Sequence, residues 1–126
     1  MERPTAIERC AYLGRVSTPR QKLEHQRESV LRFAEAEGIR LPESMWFEDR
    51  VRRHKMLEEG ANFSRLMKLV KARKVDWILI ATFDRWGIKD RDDVFVLRKE
   101  LKRYDVKLWS VADELDITGT DDASFW

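Results

Sequence analysis

Hydrophobic residues along the chain occur in two arrangements, short apolar runs and longer stretches with apolar positions at helical spacing. Four runs have the length and composition of buried strands: CAYLGRV (10–16), SMWFED (44–49), VDWILIATF (75–83) and VKLWSVA (106–112). The third run is almost continuously apolar, which is typical of a central strand covered on both faces. The pattern predicts these four strands.

Three amphipathic helices are predicted between the strands. The first runs from Pro19 to about Glu37, followed by Gly38 in the position where glycine ends helices. The second covers 61–74 and the third covers 91–104. The predicted inner faces are Leu23, Val30, Leu31 and Ala34, then Phe63, Leu66, Met67 and Val70, then Val94, Phe95, Leu97 and Leu101. The segments 50–60 and 113–126 are predicted as loops, the first of them basic.

This alternation of strands and helices predicts a single α/β domain in three layers. We expect a mainly parallel sheet of four to five strands, flanked by helices and joined by right-handed crossovers. Ligands of such sheets bind beyond the carboxyl ends of the strands. Ser17, Asp49 and the pair Asp84–Arg85 each follow a predicted strand end, so we expect them to converge on one rim.

Length and composition restrict the class of protein. The chain has 126 residues, 43% of them hydrophobic, which suits one core. No run approaches the roughly 18 apolar residues of a membrane span, and no signal peptide follows Met1. The single cysteine, Cys10, fits a reducing cytoplasm. His25 and His54 lie too far apart in sequence to predict a structural zinc site.

The net charge of +2 conceals an uneven distribution. Between Arg50 and Lys74 there are nine Lys or Arg residues against two acids, whereas 110–126 holds five acids and no Lys or Arg. A basic middle segment indicates a polyanionic partner. The alternative is a solvated helix face.

The stretch GRVSTPRQ (14–21) has the features of a helix start. Thr18 suits the N-cap, Pro19 the first helical position and Gln21 the capping box. Ser17 therefore lies at a helix N-terminus, where free amide groups favour an anion. The chain contains neither G-x-S-x-G nor a Walker A pattern, which excludes these routes to hydrolysis and nucleotide binding.

Two arginines at predicted strand ends are candidate site residues. Arg15 ends a buried strand, and arginine is rarely buried without an anionic partner. Its partner is either a carboxylate, Asp49 or Asp84, or a bound phosphate or carboxylate ligand. Arg85 is a second candidate phosphate clamp beside Asp84, although a salt bridge explains an isolated D-R pair equally well.

Taken together, GRVSTPRQ (14–21), LEHQRESVLRFAEAEGI (23–39), FED (47–49) and DWILIATFDRWG (76–87) resemble the catalytic domain of the serine recombinases. This superfamily comprises resolvases, invertases and large serine integrases. The likeness covers about residues 10–120, and its most specific parts are R-V-S-T-x-x-Q and the D-R pair. It implies a resolvase-like fold.

The resemblance also implies a mechanism. Ser17 would attack a DNA phosphodiester to give a 5′-phosphoserine link and a free 3′-OH. The implied supporting residues are Arg15 and Arg85 on the scissile phosphate, and Gln21, Asp49 and Asp84 as orienting groups. Such enzymes use no metal or other cofactor and act on DNA as homodimers that form synaptic tetramers. Without a metal, arginines must stabilise the extra negative charge of the transition state.

Three positions depart from the family pattern. Ile88 and Gly60 stand where arginines are usual, and Leu13 stands where tyrosine is common, beside Tyr12. A missing phosphate contact costs on the order of 10²–10³ in rate. The candidate substitutes, also predicted to contact DNA, are Arg52, Arg53, Lys55, Lys89 and Arg91. The chain is then either a divergent active enzyme or a weakened catalyst.

The resemblance implies that 1–120 form the catalytic domain and that 121–126 begin a longer helix, with the DNA-binding region absent. Such a fragment is expected to bind DNA weakly. Two alternatives remain at this point. One is a non-catalytic oligomerisation or regulatory module with the same fold, and the other is a flavodoxin-like domain that binds a small phosphate compound.

Overall fold

The computed structural model describes residues 3–16, 23–50, 60–82 and 91–118, with only the backbone described for 91–96. Its helices are α1 (Leu23–Glu37), α2 (Ala61–Lys71) and α3 (Arg91–Arg103), and Glu43–Met45 form a short 3-10 turn. The strands are β1 (Cys10–Val16), β2 (Trp46–Arg50), β3 (Trp77–Ile80), β4 (Lys107–Ser110) and β5 (Leu115–Asp116).

The strands form one sheet in the order β2-β1-β3-β4-β5. The first four are parallel, and β5 pairs with β4 in the antiparallel sense. The predicted α/β class with a mainly parallel sheet is therefore confirmed. The prediction of a loop from residue 113 is wrong at β5, because a two-residue strand is too short to leave a periodic pattern.

The sheet separates two hydrophobic clusters, which gives three layers. One cluster joins α1 to Tyr12, Trp77, Leu79 and Trp109. The other joins α2 and α3 to the opposite side of the sheet, with the buried side chains Leu13, Phe47, Phe63, Leu66, Val70, Ile78, Ile80, Leu97, Leu101 and Leu108. The predicted inner faces of the second and third helices are confirmed where their side chains are described, with Met67 half-buried.

All three helices end in the same closing motif, with Gly38, Arg73 or Asp105 at a positive φ. After α1, Gly38 adopts a φ of 70°, and the Ile39 amide donates to the Ala34 carbonyl at 2.8 Å. This is the predicted glycine end. After α2, Arg73 takes the same role with a φ of 58°, so the helix ends at Lys71 instead of continuing to residue 74. An arginine in this conformation gave no turn signal in the sequence.

The inner face of α1 differs from the prediction. Gln26, Val30 and Ala34 are buried, four residues apart, whereas Leu23 and Leu31 are only half-buried. A glutamine thus occupies a core position in the first turn. No helix in the described parts of the chain is long and apolar enough to cross a membrane.

Gly14 provides space for a buried aromatic ring. A Cβ atom at this position would lie 2.8 Å from Cζ of Tyr12, which is closer than real Cβ contacts. The Tyr12 hydroxyl donates to Oε2 of Glu48 at 2.9 Å. Burial and the nearby Glu48 carboxylate raise the pKa of Tyr12, so the hydroxyl stays protonated as the donor.

Candidate active site

Arg15 and Asp49 stand opposite each other at the carboxyl ends of neighbouring strands. They are register partners in the β1–β2 pairing, and both are buried, at 8% and 6% exposure. The structure thus brings together these two predicted site residues on one rim of the sheet. Ser17 follows Arg15 by two residues in sequence.

The other predicted site residues lie outside the described part of the chain or lack a described side chain. Outside it are Ser17, Gln21, Asp84 and Arg85, together with Arg52, Arg53, Lys55 and Lys89. Arg91 begins α3, but only its backbone is described. The assignments of these residues therefore stay predictions.

The Asp49 carboxylate caps α2 from the neighbouring strand. Its Oδ1 accepts the Asn62 amide at 3.0 Å, and its Oδ2 accepts the Phe63 amide at 2.8 Å. The helix's own N-cap residue, Gly60, has no side chain to do this. Because the first amides of a helix lack internal partners, a carboxylate there satisfies donors and interacts favourably with the dipole. Asp49 thereby fixes the start of α2 against the rim.

Gln26 holds the main chain of Arg15. Its Oε1 accepts the Arg15 amide at 3.2 Å, and its Nε2 donates to the Arg15 carbonyl at 2.6 Å. The registered pairing of β1 with β3 runs from Cys10 to Tyr12. Arg15 lies beyond that pairing. There the Gln26 side chain supplies the hydrogen-bond acceptor and donor that β3 supplies to residues 10–12 of β1. Gln26 was not predicted as a site residue, although its spacing to Val30 and Ala34 in the sequence was the available signal.

A cleft of about 200 Å³ opens between the first turns of α1 and the carboxyl end of β3. His25, Gln26, Ser29, Ala81 and Thr82 line it. In the sheet, β2 and β3 lie on opposite sides of β1, so the strand order reverses between β1 and β3. The cleft lies at this switch point. Open α/β sheets bind ligands at this location. Within the described residues, the buried Thr82 hydroxyl has no hydrogen-bond partner.

A polar network beside the rim joins α1 to β2. Glu48 accepts hydrogen bonds from the Tyr12 hydroxyl and from Nε of Arg27 at 3.2 Å. The Arg27 guanidinium also lies 5.3 Å from the ring centroid of Trp46. The hydrogen bond that Arg27 donates to Glu48 raises the pKa of Arg27. Its charge is therefore neutralised within the domain.

Cys10 has no chemical role at this site. The thiol is buried, and burial, followed by the carboxylates of Glu8 and Asp76, raises its pKa to about 12. A thiol in this state is not a nucleophile at neutral pH. Among residues 3–16, 23–50, 60–82 and 91–118, no group of three or more His, Cys, Asp or Glu side chains is placed to hold a metal ion.

The fold and rim define an α/β domain whose candidate site lies at the switch point of a mainly parallel sheet. Residues 10–125 match the family described as Resolvase, N terminal domain, and the chain belongs to that family. The resemblance to serine recombinase catalytic domains is thereby confirmed. Among curated proteins, none matches the chain significantly.

Solved structures share the fold of this chain. The chain is similar to the N-terminal catalytic domain of TP901-1 integrase, with a TM-score of 0.76 and 22% identity over 94% of this chain and 88% of that one. It is also similar to the C-terminal catalytic domain of ISC1926 TnpA, an IS607-like serine recombinase, with a TM-score of 0.69 and 27% identity over 82% and 69%. The chain is likewise similar to a resolvase family site-specific recombinase from Streptococcus pneumoniae, with a TM-score of 0.68 and 24% identity over 90% of this chain and 79% of that one.

Proposed function

We propose that this chain is the catalytic domain of a site-specific DNA recombinase that cuts and rejoins DNA through a covalent 5′-phosphoserine intermediate. The observation that carries the proposal is that Arg15 and Asp49 are register partners at the carboxyl rim of the sheet. Arg15 precedes Ser17 by two residues in sequence. The neighbouring cleft at the switch point supports it. Family membership supplies the reaction class.

In the proposed reaction, Oγ of Ser17 attacks the scissile phosphorus and loses its proton. The bond from phosphorus to the 3′ oxygen breaks, and that oxygen leaves as a 3′-OH after gaining a proton. Arg15 and Arg85 stabilise the charge of the pentacoordinate phosphorus, and Gln21, Asp49 and Asp84 orient the site. The phosphoserine bond conserves the energy of the broken phosphodiester, so reversal by a 3′-OH reseals the strand.

The Asp49 and Gln26 contacts support preorganisation of the part of the site that contains Arg15 and the start of α2. Gln26 fixes the main chain of Arg15, and Asp49 fixes the start of α2 next to it. A preorganised cation costs little reorganisation when charge develops on the phosphate. These two contacts lie in the described residues and can be tested independently of Ser17.

The partners proposed here are DNA and further copies of the same chain. The chain would act as a homodimer that forms a synaptic tetramer, with residues 1–120 as the catalytic domain and 121–126 as the start of a following helix. The cations proposed to contact DNA near the site are Arg52, Arg53, Lys55, Lys89 and Arg91.

A catalytically weakened domain with an oligomerisation or regulatory role is the second candidate function. The observation that favours it is Gly60, which is buried at the start of α2 and offers no side chain to a phosphate. Ile88 likewise carries no charge where the family usually has arginine. The two candidates differ in one measurable property, the formation of a covalent bond to DNA.

The test incubates the protein with sheared DNA from its source organism and then washes the protein under denaturing conditions. Only covalently attached DNA remains, and it is sequenced. We expect wild-type protein to retain fragments that share one site and Ser17→Ala to retain none above background. Specific DNA binding under native conditions, with no covalent DNA from either protein, would favour the non-catalytic candidate.

A further inference from the structure

The outward surface of α2 and its C-terminal end carries charge of one sign. Between Gly60 and Val75 there is no acidic residue. The cations of this surface, which we call the α2 basic face, are Arg65, Lys68, Lys71, Arg73 and Lys74, and all five residues are exposed. The other exposed positions of this segment, Ala61, Ser64 and Ala72, are small.

These cations are not neutralised by the described part of the domain. No described acid forms an ion pair with Lys68, Lys71 or Lys74. Arg65 donates to the neutral Oδ1 of Asn62 at 2.9 Å, and Arg73 lies 5.5 Å from the ring centroid of Tyr104. Both contacts leave the positive charge in place.

Elsewhere on the domain, three arginines are paired with acids on other elements. Arg3 pairs with Glu37, Arg9 with Asp76 and Arg27 with Glu48. An unpaired set of like charges repels itself and destabilises the folded state. The α2 basic face concentrates five exposed cations in a segment that holds no acid, which indicates an external anion.

Geometry connects this surface to the candidate site. The start of α2 is held at the rim by Asp49, and the helix of 11 residues extends for about 16 Å at 1.5 Å per residue. Arg65, Lys68 and Lys71 are three residues apart, so they fall within a sector of about 120° on the helix. The small residues Ala61 and Ser64 leave this sector open to a bulky backbone.

We infer that the α2 basic face binds the phosphate backbone of duplex DNA that extends from the cut site. This inference rests on the proposed function, which places DNA at the rim. Charge complementarity selects the partner, since duplex DNA presents one negative charge per about 1.7 Å of axis. An acidic peptide fits less well, because the exposed uncharged positions of this surface, Ala61, Ser64 and Ala72, offer no large apolar side chain to an anchoring residue.

The experiment measures affinity for a fluorescein-labelled 40-base-pair duplex of mixed sequence as a function of KCl concentration. The variant is Lys68→Gln/Lys71→Gln, because neither lysine side chain forms an ion pair with a described acid that the substitution would remove. The matched control is Lys99→Gln/Lys102→Gln, which removes two exposed cations from α3. Circular dichroism verifies that both variants fold.

The α2 variant is expected to bind about tenfold more weakly and to reduce the slope of log affinity against log salt by about 1–2, since each phosphate contact contributes about 0.9. The control is expected to change affinity less than about threefold. Equal losses in both variants would overturn the inference, because they would show an effect of net charge alone. Absence of binding by the wild-type protein at low salt would overturn it as well.

Two further measurements separate the alternatives. If polyglutamate binds with the same dependence on Lys68 and Lys71 and displaces the duplex, an acidic protein is the partner and the inference is wrong. Ser17→Ala is expected to lose covalent attachment but retain binding at the α2 basic face. Failure of the proposed cleavage by Ser17 and failure of DNA binding by the α2 basic face therefore give different results.

Discussion

The side-chain amide of Gln26 bonds both main-chain polar groups of Arg15, accepting from the amide at 3.2 Å and donating to the carbonyl at 2.6 Å. Both residues are buried, so neither group has water as an alternative partner. A contact between the first turn of α1 and the end of β1 thus sets the main chain from which the Arg15 side chain extends.

Replacing Gln26 is therefore expected to destabilise the domain. Gln26→Leu keeps the volume but leaves a buried donor and acceptor unsatisfied, at a cost of about 1–3 kcal/mol for each group. Gln26→Glu retains the acceptor but places a buried carboxylate oxygen against the Arg15 carbonyl, so it is expected to lose at least as much stability at neutral pH. Urea unfolding measures the loss, with Glu28→Ala on the exposed side of α1 as the control. A Gln26→Leu protein as stable as the control would contradict this account.

Removal of the Asp49 carboxylate should weaken α2. Asp49→Ala deprives the Asn62 and Phe63 amides of their acceptors, and loss of a helix cap costs about 0.5–2 kcal/mol. Asp49→Asn keeps one acceptor oxygen and should lose less. Hydrogen exchange of the first α2 amides reports the local effect. Equal protection of these amides in Asp49→Ala and the wild-type protein would refute the capping role, and Glu35→Ala serves as the matched acid control.

Gly14 and Tyr12 are expected to show coupled effects. Gly14→Ala forces a methyl group against the Tyr12 ring, and overpacking of this kind costs about 1–3 kcal/mol. Tyr12→Phe removes the hydroxyl, which is the ring's nearest atom to the new methyl group, so the double variant should be more stable than the sum of the single losses predicts. A double-mutant cycle by thermal or urea unfolding measures this coupling. Strict additivity would show that the two positions do not compete for space.

Cys10 should resist alkylation in the folded protein. With its pKa raised to about 12, the thiolate fraction at pH 8 is smaller than that of a free cysteine by about a thousandfold. Its raised pKa also means that the stability it contributes is complete below about pH 9 and is lost as the pH rises toward 12. Labelling by iodoacetamide at pH 8, with and without denaturant, measures the protection. Rapid labelling of the folded protein would contradict the burial.

The sequence predicted the parts of the fold that have a strong period. The strand CAYLGRV coincides with β1, and the glycine that ends α1 was recognisable at Gly38. The features that were missed depend on contacts distant in sequence. The cap of α2 comes from Asp49, across 13 residues, and β5 exists only because β4 lies beside it. The local sequence pattern does not predict either contact.

The candidate site was predictable to a similar extent. The rule that parallel strands end on one edge predicted that residues at the strand ends meet at one rim, and Arg15 and Asp49 are register partners there. Gln26 was missed because glutamine is usually exposed. It is buried here because the Arg15 amide and carbonyl at the end of β1 need hydrogen-bond partners, which its side chain provides. A buried polar residue in phase with apolar neighbours is thus a better signal than residue type alone.

The central claim is that Ser17 forms a covalent bond to DNA. The most direct measurement digests the covalent complex with nuclease and protease and identifies by mass spectrometry the residue that carries the remaining nucleotide. The account predicts a nucleotide joined through its 5′ phosphate to Ser17, with free 3′-OH groups on the released DNA ends. A nucleotide attached to another residue, a 3′ phosphate link, or an equal yield of complex from Ser17→Ala would contradict it.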